Sequence, residues 1–165
     1  MIYRAFYPFD LSVLPGGAVI SAIGLNVYVV AKSSAAGGSV TVVSNSQASN
    51  TTLVTSDYSL VGSTEWVAAR TNFSALTASA YNVFTLNATA VASAQAAITG
   101  FWKVALRSSF DLDNSAPVGT SYLQGNFSEA TGTANDPYLT VTYTVVAGPV
   151  PPSAGVRARR AMYIR

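Results

Sequence analysis

Apolar and polar residues alternate with a period of two along much of this chain. In Ile23-Gly24-Leu25-Asn26-Val27-Tyr28-Val29 every odd position is aliphatic, the pattern of a half-buried strand. Ser39 to Val43 is short and rich in β-branched residues. Tyr81 to Leu86 alternates again, with Tyr81, Val83 and Thr85 on one face and Asn82, Phe84 and Leu86 on the other. Trp102, Val104 and Leu106 share a face that Lys103 and Arg107 avoid. Tyr138 to Val145 is the clearest strand, with Leu139, Val141, Tyr143 and Val145 directed inward and threonines between them. Pro15-Gly16-Gly17 reads as a tight turn and Ala35 to Gly38 as a looser connection. Asp113 to Gly119 and Thr131 to Pro137 read as loops. One segment breaks the pattern: Asn87 to Ala97 is Ala-rich behind an N-capping Asn, which predicts a short helix crossing between strands. Eight or so short strands with turn signals between them predict an all-β fold, a sandwich or closed barrel with one short helix.

The pattern stops near residue 146. Residues 147–153 are Pro-rich and predict an extended linker; at about 3.1 Å per residue it reaches roughly 20 Å. The expected organisation is therefore a sandwich over residues 1–146, the linker, and a C-terminal arm over residues 154–165. The arm mixes Arg157, Arg159, Arg160 and Arg165 with Met162, Tyr163 and Ile164. Nucleic-acid arms carry more charge and fewer apolar groups, so no nucleic-acid partner is expected; the mixture fits docking on an acidic protein surface, with a frayed, solvated terminus as the alternative.

Composition narrows the chemistry. Only 10% of the 165 residues are charged, against roughly a quarter in average soluble domains. The net charge of +2 belongs to the arm. Such a surface suits a protein that packs against copies of itself or other subunits. The sequence holds no Cys and no His, which excludes disulfides and Ser–His or Cys–His nucleophiles. No enzyme activity and no cofactor is expected. No run reaches the roughly 18–20 apolar residues of a membrane span; the longest, Ala18 to Val30, is broken by Ser21 and Asn26. No secretion signal is apparent at the N-terminus.

Three weaker signals remain. Asp111 and Asp113, with Asn114, have the D-x-D spacing that can bind calcium, or they cap amides and pair with Arg107. Trp66, in a poorly patterned stretch, is the candidate for an exposed sugar-stacking ring, whereas Trp102 is expected in the core. Asn50, Asn72, Asn87 and Asn126 open N-x-Ser/Thr triplets, which arise often by chance in a chain rich in Ser and Thr.

A longer pattern combines these pieces. Tyr3-Arg4-Ala5-Phe6, Phe9-Asp10-Leu11-Ser12, Leu14 to Ala22 and Leu25-Asn26-Val27-Tyr28 resemble the opening of DNRLRE-type domains, also called disaggregatase-related domains. Tyr81-Asn82 with Phe84 and Leu86-Asn87 resembles the middle of the pattern, and Leu106-Arg107 with Asp111 the next strand and loop. Phe127-Ser128-Glu129, Asp136 to Leu139 and Val141-Thr142-Tyr143 resemble its close. The likeness runs from residue 2 to 144 and rests on the order and spacing of its parts. It implies a jelly-roll-like antiparallel β-sandwich of the kind found on microbial surface proteins and in phage virion-like proteins, some beside carbohydrate-active modules. It carries no catalytic residues across. Asp10 and Ser12 would hold the turn after the first strand. Relatives have a further strand before Tyr-Arg-x-Phe, where Met1 stands here, so an unpaired edge is expected.

These features lead to the expectation of a structural protein of a phage-like virion: a head decoration, head fibre or tail-associated subunit. It would sit in the virion, contact other subunits and form a homo-oligomer, with no membrane partner. The alternatives are an extracellular or cell-surface carbohydrate-binding module, with a glycan partner, and a filament subunit held by strand exchange.

Overall fold

A computed structural model describes residues 3–127 and 134–145, together with the backbone of residues 159–164. The strands are β1 (Ala5–Asp10), β2 (Ala18–Ser34), β3 (Ser39–Asn45), β4 (Val61–Glu65), β5 (Thr71–Asn72), β6 (Ala80–Thr85), β7 (Phe101–Ser108), β8 (Ser121–Gly125), β9 (Tyr138–Val145) and β10 (Arg159–Ile164). Helix α1 (Ala88–Ala96) joins β6 to β7, and a single helical turn, α2 (Ser109–Leu112), follows β7.

Two antiparallel sheets pack face to face, as the alternation predicts. One has the order β1-β7-β3-β4 with β5 also on β3; the other has β10-β9-β2-β6 with β8 also on β2. The inner faces supply one core. Ile23, Leu25 and Val27 of β2 share this core with Trp102, Val104 and Leu106 of β7 and Leu139, Val141 and Tyr143 of β9. Val145 departs from the expected inward placement: it is 47% exposed, at the last position of its strand. Asn26 is buried on the opposite face of β2 from the core, where its side-chain amide donates to Tyr138 O and Thr140 Oγ1.

Local chemistry behaves as the sequence suggests. Ser12 N donates to Asp10 Oδ1 at 2.9 Å, holding the turn after β1. Ala18 N closes on Pro15 O at 3.1 Å, with Gly17 at φ 75°, a region glycine enters without a Cβ clash. Asn87 caps α1 by accepting from Ala90 N at 3.1 Å. Polyalanine contributes helix propensity here, and burial of Ala90 and Ala94 against the core ties α1 down.

The outer face of the β1-β7-β3-β4 sheet is partly covered. Val43, Val61 and Ala105, with Phe6 against them, form a small second cluster. The segment between β3 and β4 is held by its own polar anchors. Asp57, 1% exposed, accepts from Val54 N and Ala48 N, and Lys103 Nζ donates to Gln47 O at 2.7 Å.

Candidate functional site

Among the described residues the order of pairing leaves one side of the sandwich open. Val29 pairs with both Ala80 and Gly125, so β6 and β8 flank β2 on opposite sides. Gly24, Leu25 and Asn26 pair with both β6 and β9, so β9 lies on the same side as β8. β8 and β9 thus follow one another along a single edge of β2, and β10 covers only the β9 part of it. Among the described residues β8 pairs with β2 alone, and β1, at the end of the other sheet, pairs with β7 alone.

Between these two edges lies a cleft of about 630 Å³. Tyr7, Phe73, Phe110, Leu123 and Phe127 are among its lining residues, and Tyr7 stacks on Phe127 with ring centroids 6.0 Å apart. Gly38 is required at its base: a Cβ there would lie 2.5 Å from Phe110, and its φ is +78°. The Tyr7 side chain is buried, yet its hydroxyl finds no hydrogen-bond partner among the described residues. Burial pushes its pKa up, so the phenol stays protonated and can donate.

A polar cluster borders the cleft where β1 begins and β7 ends. Asp111 accepts from Arg4 Nε at 2.7 Å and Nη2 at 2.8 Å, and from Arg107 Nε at 2.6 Å. Arg107 also donates to Gly62 O at 2.9 Å, while Arg4 donates to Tyr58 O and lies 3.9 Å above the Tyr58 ring. Burial alone would raise the Asp111 pKa. The hydrogen bonds and charges of Arg4 and Arg107 outweigh it and hold the carboxyl at about 2. Arg4 is thus brought from the start of the sandwich sequence to a pair only four residues apart, Arg107 and Asp111, and all three, each part of the resemblance pattern, meet in one ion cluster.

Of the two readings of this pair, the pairing of Asp111 with Arg107 is the one observed, and the calcium reading is corrected. Asp111 is fully engaged by two guanidiniums, and Asp113 pairs with Arg70, whose Nη2 donates at 2.8 Å. The Arg70 guanidinium also binds Glu65, and it keeps both carboxyls below their ordinary range. A cation would have to displace arginines on both sides. Among the described residues no cluster of three His, Cys, Asp or Glu side chains could hold a metal.

Trp66 is also corrected. It is 6% exposed, and its ring stacks on Trp102 at 5.1 Å with an 8° interplanar angle. Trp66 N donates to Val42 O and Val67 bridges to Leu86, which draws the segment into the sandwich edge. The ring is core, and no sugar platform can form on its face. Trp102 lies in the core as expected and donates from Nε1 to Ser93 Oγ.

Of the residues expected to contact partners, Arg157 and Arg165 lie outside the described residues, as does the Pro-rich linker. Arg159, Arg160, Met162, Tyr163 and Ile164 belong to β10, whose backbone pairs with β9 in a regular antiparallel register from Arg159 opposite Thr144 to Ile164 opposite Leu139. The segment expected to act as an arm is an edge strand of its own sheet. Among the described residues β1 does have the unpaired edge that the sequence led one to expect; the aromatic lining and the orphan hydroxyl went unpredicted, because Tyr3, Tyr7 and Phe127 are scattered along the chain and only pairing brings them to one rim. Among the described residues no helix is long and apolar enough to cross a membrane. Compared with protein-family models, curated proteins and solved structures, the chain matches none.

Proposed function

We propose that this chain is a structural subunit of a phage-like virion, a head decoration, head fibre or tail-associated protein, working through contacts with other subunits. The observation that carries the reading is the C-terminal strand. Among the described residues β10 pairs with β9 alone, at the margin of its sheet. The chain between them, residues 146–158, is far longer than the roughly 2–5 residues an antiparallel hairpin needs. The excess length lets the same strand pair with β9 of a neighbouring copy, which is how a sandwich subunit links to others by strand exchange. The weakly charged surface and the resemblance to virion-like domains support the same reading.

Sedimentation of the full chain and of a chain ending at Ala147 tests it, alone and with particles produced from the same genome. The shorter chain keeps the core strands and folds. The full chain assembles or co-sediments, the shorter one does not, and added salt weakens the association through the arm's arginines. Equal assembly by both chains would refute the role given to β10. Assembly of the full chain without association with particles would refute the virion assignment.

A further inference from the structure

The cleft between β1 and β8 has the features of a site that is waiting for an occupant. Its two rims are strand edges without partners among the described residues. They are not equivalent. β1 carries Pro8 at its middle, and a proline has no N–H to offer an added strand. β8 reads Ser-Tyr-Leu-Gln-Gly and has a full set of donors and acceptors. The same margin of the sheet accepts β10 one step further along, at β9. The interior is made of rings and aliphatic groups. The two cations at its border, Arg4 and Arg107, are already bound to Asp111, so the site offers no unpaired charge for a charged ligand. Among the described residues the one buried polar atom of its lining without a partner is the Tyr7 hydroxyl, a donor held between the sheets.

We propose that this cleft docks an extended, uncharged, apolar segment of another protein chain. The segment pairs its backbone with the free edge of β8, inserts alternate side chains between the sheets, and accepts a hydrogen bond from the Tyr7 hydroxyl. β-Strand addition supplies affinity through main-chain bonds and specificity through pockets for alternate side chains. A glycan would need several polar partners deep in the cleft, and among the described residues the one buried polar atom left without a partner there is the Tyr7 hydroxyl. The cleft and β10 are separate surfaces, so the chain shortened at Ala147 should keep this site whether or not β10 exchanges.

The test uses the full chain and a pool of end-capped heptapeptides that alternate Val, Leu or Phe with Ser or Thr. The controls are the same peptides with a central proline, and cellohexaose. Amide chemical shifts and hydrogen exchange at Ser121–Gly125 are read by NMR. The alternating peptides should shift these amides and slow their exchange at least about tenfold, and the proline peptides should not. Tyr7→Phe removes only a hydroxyl and keeps the ring stacked on Phe127, so it should fold; it should weaken peptide binding by about 2- to 12-fold, the value of one hydrogen bond. No response of β8 to any alternating peptide overturns the proposal. So does equal binding of the proline peptides, or a response to cellohexaose alone, which would make the cleft a glycan site.

Discussion

Replacing Asp111 by asparagine should cost this protein about 3 kcal/mol, and the cost should vanish in acid. The side chain is 7% exposed, and the two guanidiniums it binds are 11% and 10% exposed. Asp111→Asn keeps the shape but removes the charge. An amide can accept from one arginine through its oxygen and then turns its own N–H groups toward the other. Two buried cations, opposed across β1 and β7, then lack a counter-charge. Breaking a buried ion pair from one side typically costs about 3–5 kcal/mol. The folded-state pKa of about 2, against about 3.9 in an unfolded chain, independently makes the carboxylate's ionisation worth roughly 2–3 kcal/mol. For a chain of this length such a loss lowers Tm by about 6–12 °C. The pH dependence has a definite sign. A depressed carboxyl pKa contributes stability that is complete above the unfolded value and disappears as pH falls through the folded one. The difference between parent and variant should therefore be full at pH 5 and above, shrink from about pH 4, and be small at pH 2. Other carboxylates with lowered pKa, such as Glu65 and Asp113, titrate in both proteins and largely cancel from the difference. Urea unfolding of both proteins at pH 7, 5, 3 and 2 measures this. A loss below about 1 kcal/mol at pH 7, or one that is unchanged at pH 2, would refute the assignment of the cluster as a mutually dependent ion triad.

Two further substitutions probe the core. Val141 is fully buried at the centre of β9, between β2 and β10; Val141→Asp should destabilise by several kcal/mol, at least about 4, and a melt within a degree or two of the parent would contradict the register. Trp66→Ala should cost about 3–5 kcal/mol by emptying the space stacked on Trp102, while glycan-array signals stay as in the parent; loss of a glycan signal in a variant of unchanged stability would contradict its burial.

Much of this molecule was written in local sequence. The alternation in Ile23–Val29, Phe84–Leu86 and Leu139–Tyr143 predicted which side chains face the core, because a strand has a period of two and one face of each sheet must be buried. The caps and turns were equally local: Asn87 reaches an amide three residues on, and Asp10 reaches Ser12. What required the tertiary structure is everything that depends on which strands become neighbours. Trp66 looked exposed because its own stretch has no periodicity; its burial comes from Trp102, on a strand paired two places away in the sheet. The spacing of Asp111 and Asp113 left a cation site or pairing with Arg107 open; Arg107, four residues from Asp111, could be named from the sequence, but Arg4 and Arg70, distant along the chain, could not. The same holds for the cleft, whose rims β1 and β8 are more than a hundred residues apart along the chain. Side-chain period, turn chemistry and capping act over a few residues and can be read along the chain. Edges, ion clusters and clefts are set by the order of strands in two sheets, which long-range pairing decides.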